Sequence, residues 1–120
     1  MNEEIFTIPE GDYSGKSLFV DVPNGDVYNY GKFDQVTIKD VKSSTYYEYA
    51  QGNIILVYDE DCNINLIGNP ISVSALSGGK ININLNDVVS GFKIIVNNGS
   101  EVIITGASNP GIKVDIEDAI

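Results

Sequence analysis

From Ser17 onward the chain sets short alternating apolar and polar runs between clusters of Gly, Asn, Ser and Pro. A strand turns successive side chains to opposite faces, so each such run predicts a half-buried strand. In SLFVDV, Leu18, Val20 and Val22 share a face, and QVTIKDV repeats this with Val36 and Ile38. VYNY puts Tyr28 and Tyr30 on one side, and YYEYA does the same with Tyr47 and Tyr49. In IILV the inward set is Ile54 and Leu56, which leaves Ile55 and Val57 outward. The later runs give inward sets of Ile64 and Leu66, then Ile71, Val73 and Ala75, then Ile81, Ile83 and Leu85. Phe92, Ile94 and Val96, then Val102 and Ile104, then Ile112, Val114 and Ile116 follow, so Ile95 and Ile103 face outward. Gly, Pro or Asn interrupts every window long enough for an apolar stripe at helical spacing, and the class is all-β.

The runs fall into two interleaved ladders. One begins near Leu18, Val36, Ile54, Ser72, Lys93 and Ile112, and the other near Val27, Tyr46, Ile64, Asn82 and Val102. Two ladders of similar step describe a coil of about 18–20 residues with two strands per turn. Stacked coils bury one continuous apolar strip, which no single coil can do alone. The expected fold is therefore a β-solenoid, a parallel β-helix or β-roll, of about five to six coils. Like residues then lie on like, with Asn63 and Asn65 beside Asn82 and Asn84. The same strand spacing also fits an antiparallel sandwich or barrel, and the NNGS turn at 97–100 would make a good hairpin.

Residues 1–16 read differently. Ile5, Phe6 and Ile8 offer one short apolar contact before Pro9 and Gly11 break it. This segment is expected to be an N-terminal arm on a single β domain spanning 17–120.

Charge and composition narrow the function. Seven basic against 17 acidic residues give a net charge of −10, a field that repels a nucleic-acid backbone. No direct nucleic-acid binding is expected. With no His and a single Cys, neither a Cys–His or Ser–His–Asp mechanism, a disulfide, nor a thiolate zinc site is available. No catalytic residue, cofactor or metal site is assigned. The acidic opening MNEEIFTIPEG has no apolar core of a signal peptide, and no run is long enough to span a membrane as a helix. Expected locations are a virion or the host cytoplasm. Abundant Asn, Ile and Lys in place of Ala, Arg and Leu suggest an AT-rich genome, such as that of a low-GC bacterium or its phage.

The candidate chemistry is recognition. Tyr28, Tyr30, Tyr47 and Tyr49, if outward, form an aromatic patch suited to sugar stacking or a protein interface; if inward, they are core. Ile55, Val57, Ile95 and Ile103, if outward, form an apolar patch for a partner or a second copy. The acidic groups Asp59-Glu60-Asp61 and Asp115/Glu117/Asp118 match no calcium loop and read as solvated turns. Ser14-Gly15-Lys16-Ser17 has Glu10 where a phosphate-binding loop needs its first Gly, and both it and Gly78-Gly79-Lys80 read as turns. Cys62 follows an acidic turn that disfavours its thiolate. The leading expectation is a non-enzymatic structural or assembly module, most readily a phage virion component such as a capsid decoration, tail or fibre element. A small acidic inhibitor occupying a basic groove of a host nuclease or defence complex is the alternative. A carbohydrate-binding module using the tyrosines is a third.

Overall fold

The computed structural model describes residues 4–22, 25–41, 45–59, 61–85, 92–97, 99–106 and 114–119. Among the described residues ten strands follow one another: β1 (Glu4–Asp21), β2 (Gly25–Asp40), β3 (Thr45–Glu48), β4 (Ile54–Val57), β5 (Asp61–Leu66), β6 (Ser72–Ala75), β7 (Lys80–Leu85), β8 (Phe92–Asn97), β9 (Glu101–Gly106) and β10 (Val114–Ala119). Every pairing between them is parallel. The ladder runs β10-β8-β6-β4-β2-β3-β5-β7-β9, with β1 added on β2. Parallel neighbours rule out hairpins and hence the antiparallel sandwich or barrel. The chain is a β-solenoid of two strands per coil. No helix occurs among the described residues, and so none long and apolar enough to cross a membrane.

The long strands β1 and β2 each bend through a corner and serve both sides of the coil. The first half of β2 carries β3, β5, β7 and β9, and this is the first sheet. Its second half carries β4, β6, β8 and β10, the second sheet. Bending requires Gly31. A Cβ there would lie 2.5 Å from the Tyr13 ring, which stacks on Phe33 at 4.6 Å across the same corner. A later corner needs Gly68, whose Cβ would meet the Ala50 carbonyl oxygen at 2.1 Å.

The core lies between the two sheets as rows of in-register side chains. In the second sheet Val36, Ile55, Val73 and Ile94 form one row, and Ile38, Val57 and Ala75 another. In the first sheet Val27, Tyr46, Ile64 and Ile83 face them. Each fully buried Ile, Leu or Val contributes about 1.5–3 kcal/mol of transfer free energy, so successive coils add stability nearly rung by rung.

Two differences from the sequence expectation follow from register. Ile55 and Val57 are core residues, both 0% exposed, and it is Ile54, at 37%, and Leu56 that turn outward. Val36 pairs with Ile55, so this coil holds one residue more than the even step assumed. The extra place is Lys39, where the register shifts between Val20↔Ile38 and Asp21↔Asp40; the stretch from Tyr46 to Ile55 is as long as that from Val27 to Val36. Ile71 likewise sits outside, just ahead of β6, and not in the inward set.

The second difference is the N-terminal segment. From Glu4 on, the expected arm is strand, pairing residue by residue with β2 from Glu4↔Gly25 to Val20↔Ile38 with bulges after Ile8 and Tyr13. It forms the first rung of both sheets. The turns expected at 23–24 and 43–44, and the position of Ile112, lie outside the described residues.

Candidate functional site

The four tyrosines come together on the outer face of the first sheet. Tyr28 pairs in register with Tyr47, and their rings stack at 4.4 Å, only 2° from parallel. Tyr30 stacks on Tyr49 at 4.4 Å. Parallel coils bring identical side chains to the spacing of a rung, which is close to ring-stacking distance. Tyr28, Tyr47 and Tyr49 are half-buried, and Tyr30 is exposed.

Beyond Tyr47 its outer row changes to short amides, and the row beside it is built of amides and a hydroxyl. Thr45, Asn63 and Asn82 form one row, and Tyr47, Asn65 and Asn84 the other. Asn82 Nδ2 donates to Asn63 Oδ1 at 3.2 Å, the amide stacking that the repeat predicts. Where tall tyrosines give way to short asparagines, the surface steps down into a depression of about 230 Å³.

The outward isoleucines do not form one patch. Ile103 is half-buried in the Thr45–Asn63–Asn82 row of the first sheet. Ile95 lies on the outer face of the second sheet, in register with Ser74. With Ile55 and Val57 inside, the apolar surface of that sheet is instead Phe19, Ile54, Leu56 and Ile95.

A third assembly was not anticipated. Glu48 is wholly buried, in register with Asn29 where later coils place Leu66 and Leu85. Its Oε1 accepts from Tyr46 Oη at 2.6 Å and from Asn29 Nδ2 at 3.1 Å, and its Oε2 from Asn53 Nδ2 at 2.7 Å. Asn29 and Asn53 in turn satisfy the backbone of the bend. Asn29 Oδ1 accepts from the Gly31 N–H at 2.8 Å, Asn53 Oδ1 from the Phe33 N–H at 2.8 Å, and both amides donate to the Gly31 carbonyl. Burial pushes the Glu48 carboxyl up to about 7, against the downward pull of its Tyr46, Asn53 and Asn29 donors. Tyr46 is driven well upward by burial and by Glu48. Alternation in YYEYA carries the signal: if Tyr47 and Tyr49 face out, Tyr46 and Glu48 must face in.

The remaining candidates are structural. Asp59 is buried, and its carboxylate caps backbone: Oδ2 accepts from the Val41 N–H at 2.6 Å and Oδ1 from the Asp61 N–H at 3.3 Å. The solvated-turn reading thus fails for Asp59, while Glu60 lies outside the described residues. Cys62 is buried, and burial first, then Asp59, Asp61 and Asp40, raise its thiol far above the usual range. Ser14 to Ser17 make a bulged corner of β1, where Gly15 has φ 82° and donates its N–H to Asp34 Oδ1 at 2.9 Å. No protein-family model matches the chain, and no curated protein or solved structure is significantly similar to it.

Proposed function

We propose that the chain is a non-enzymatic structural module that assembles through its first coil. The proposed contact pairs the open edge of β1 with the same edge of a second copy. The observation that carries this reading is the condition of β1. Among the described residues it pairs on one side only, with β2, and it leaves Ile5 67%, Phe6 41% and Phe19 61% exposed. An unpaired strand edge offers a row of backbone donors and acceptors, and exposed aromatics beside it favour a partner over water.

The same strand limits what can pair. Pro9 has no N–H to give, and bulges interrupt the register after Ile8 and Tyr13. The regular stretches are short, Glu4–Ile8, Gly11–Tyr13 and Ser17–Val20, so β1 suits one specific contact and resists open-ended growth. A two-fold contact is self-limiting, as closed oligomers are. The setting we propose is a phage virion, in a capsid decoration, tail or fibre element, where a repetitive β body supplies a rigid block for assembly.

Sedimentation equilibrium tests the contact. The full chain should dimerise, and Phe19→Asp together with Thr7→Pro should return it to monomer while leaving the far-ultraviolet spectrum of the β body unchanged. A parent chain that stays monomeric at millimolar concentration overturns the reading.

A further inference from the structure

We propose that the depression beside Tyr47 on the outer face of the first sheet is a binding site for a neutral carbohydrate ring. It is independent of the β1 edge and lies on a different surface of the coil.

The wall comes from the stacking of the tyrosines. One face of Tyr47 is taken by Tyr28, 4.4 Å away and nearly parallel. Its opposite face is directed along the coil axis toward the next rung, where Asn65 is its in-register partner. Tyr28 has no such freedom on its Tyr47 side, and Tyr30 and Tyr49 cover each other in the same way. Of the stack, Tyr47 is the ring that fronts the depression. An aromatic face set upright beside a polar floor is the arrangement that takes the C–H face of a pyranose, because the ring offers an apolar plane while the sugar's edge stays hydrogen-bonded.

The floor supplies that hydrogen bonding. Asn63, Asn65, Asn82 and Asn84 stand at the corners of a patch one rung, about 4.8 Å, by two residues, about 6.6 Å, close to the footprint of one sugar ring. A carboxamide both donates and accepts, as a sugar hydroxyl does, and with Asn82 Nδ2 given to Asn63 Oδ1 at 3.2 Å this pair turns the Asn63 donor and the Asn82 acceptor to a diol. Thr45 and Thr105 add hydroxyls at the two ends.

Charge selects against other ligands. Lys, Arg, Asp and Glu are absent from the lining. Asp26, next in the Thr45 row, is occupied by the Thr45 N–H at 2.9 Å. A chain of net charge −10 repels phosphorylated, sulfated or sialylated ligands, and a neutral lining gives a cation no carboxylate. The volume of about 230 Å³ holds one ring and not an extended peptide. A single open-sided ring site binds weakly, so repetition of the module is what would give useful avidity.

The test is a titration of the ¹⁵N-labelled full chain with glucose, galactose, mannose, N-acetylglucosamine and the β-1,4-linked oligomers of glucose and N-acetylglucosamine. At least one should shift the side-chain amides of Asn63, Asn65, Asn82 and Asn84 together. Tyr47→Ala should weaken that sugar by roughly tenfold, and Tyr47→Phe, which keeps the ring, should not. Asn84→Leu leaves the tyrosine stack intact and should also weaken binding. The proposal is overturned if no sugar of the panel moves these amides, or if the Tyr47→Ala and Asn84→Leu variants bind as the parent does.

Discussion

Glu48→Gln is expected to remove a pH dependence from folding stability, and its size follows from where Glu48 sits. The carboxyl is buried at a corner of the solenoid and holds a proton up to about pH 7, against an ordinary value of 4.5. The folded chain therefore keeps this proton at pH values where the unfolded chain has lost it. Stability from this group is fully present below about pH 4.5 and is lost as pH rises to about 7, opposite to the behaviour of a salt-bridged carboxylate. The shift is worth about 3 kcal/mol across that window. Glutamine cannot titrate, so the stability difference between parent and variant should change by about that amount between about pH 4.5 and pH 8. Urea unfolding at a series of pH values, followed by circular dichroism, measures it. The absolute stability of the variant is a separate matter, because a Gln Nε2 at the place of Oε2 would face Asn53 Nδ2, donor against donor. Only the pH dependence of the difference reports the buried proton. If the two curves run parallel to within about 0.5 kcal/mol across the window, Glu48 is solvated and the corner is not built as described.

Three further outcomes are expected. Ile55→Ala should cost about 2–5 kcal/mol and Ile54→Ala within about 0.5 kcal/mol of nothing, and equal losses in urea unfolding would contradict the assigned faces. Gly68→Ala should cost about 1–3 kcal/mol, since its Cβ meets the backbone oxygen of Ala50 and not a side chain that can swing away; an unchanged midpoint would contradict that approach. The Cys62 thiol should resist a disulfide reagent at neutral pH until the chain is unfolded, and rapid labelling of the native protein would show that Cys62 is not buried.

The architecture was legible because it is repetitive. Period-two alternation named the strands, and two ladders of similar step named the coil, including the pairing of Asn63 with Asn82 and Asn65 with Asn84. Faces were legible only where a polar residue marked them. KININLN alternates cleanly, and its inward Ile81, Ile83 and Leu85 are buried. IILV has no polar residue to mark a face, so an even step puts Ile54 inside, and one added residue, Lys39 at the register shift after Ile38, reverses the strand. Pro9 and Gly11 read as breaks in the first segment, yet a solenoid rung accommodates them at a bulged corner between two short regular stretches. Glu48 is not legible as a core residue because a carboxylate ranks among the residues least expected inside, and only its three donors, brought from two coils, make that place tenable.

Everything described depends on successive coils lying parallel and in register. Paired cysteines in a Cys62→Ala background read this directly. In parallel register Asn63 faces Asn82 and Asn65 faces Asn84, each pair about 4.8 Å apart, within reach of a disulfide. The crossed pairs, 63 with 84 and 65 with 82, are then about 8 Å apart and out of reach. Mild oxidation should therefore close Asn63→Cys/Asn82→Cys and Asn65→Cys/Asn84→Cys and leave both crossed variants reduced. Closure of the crossed pairs in preference would mean that β5 and β7 run antiparallel, and the solenoid would be wrong.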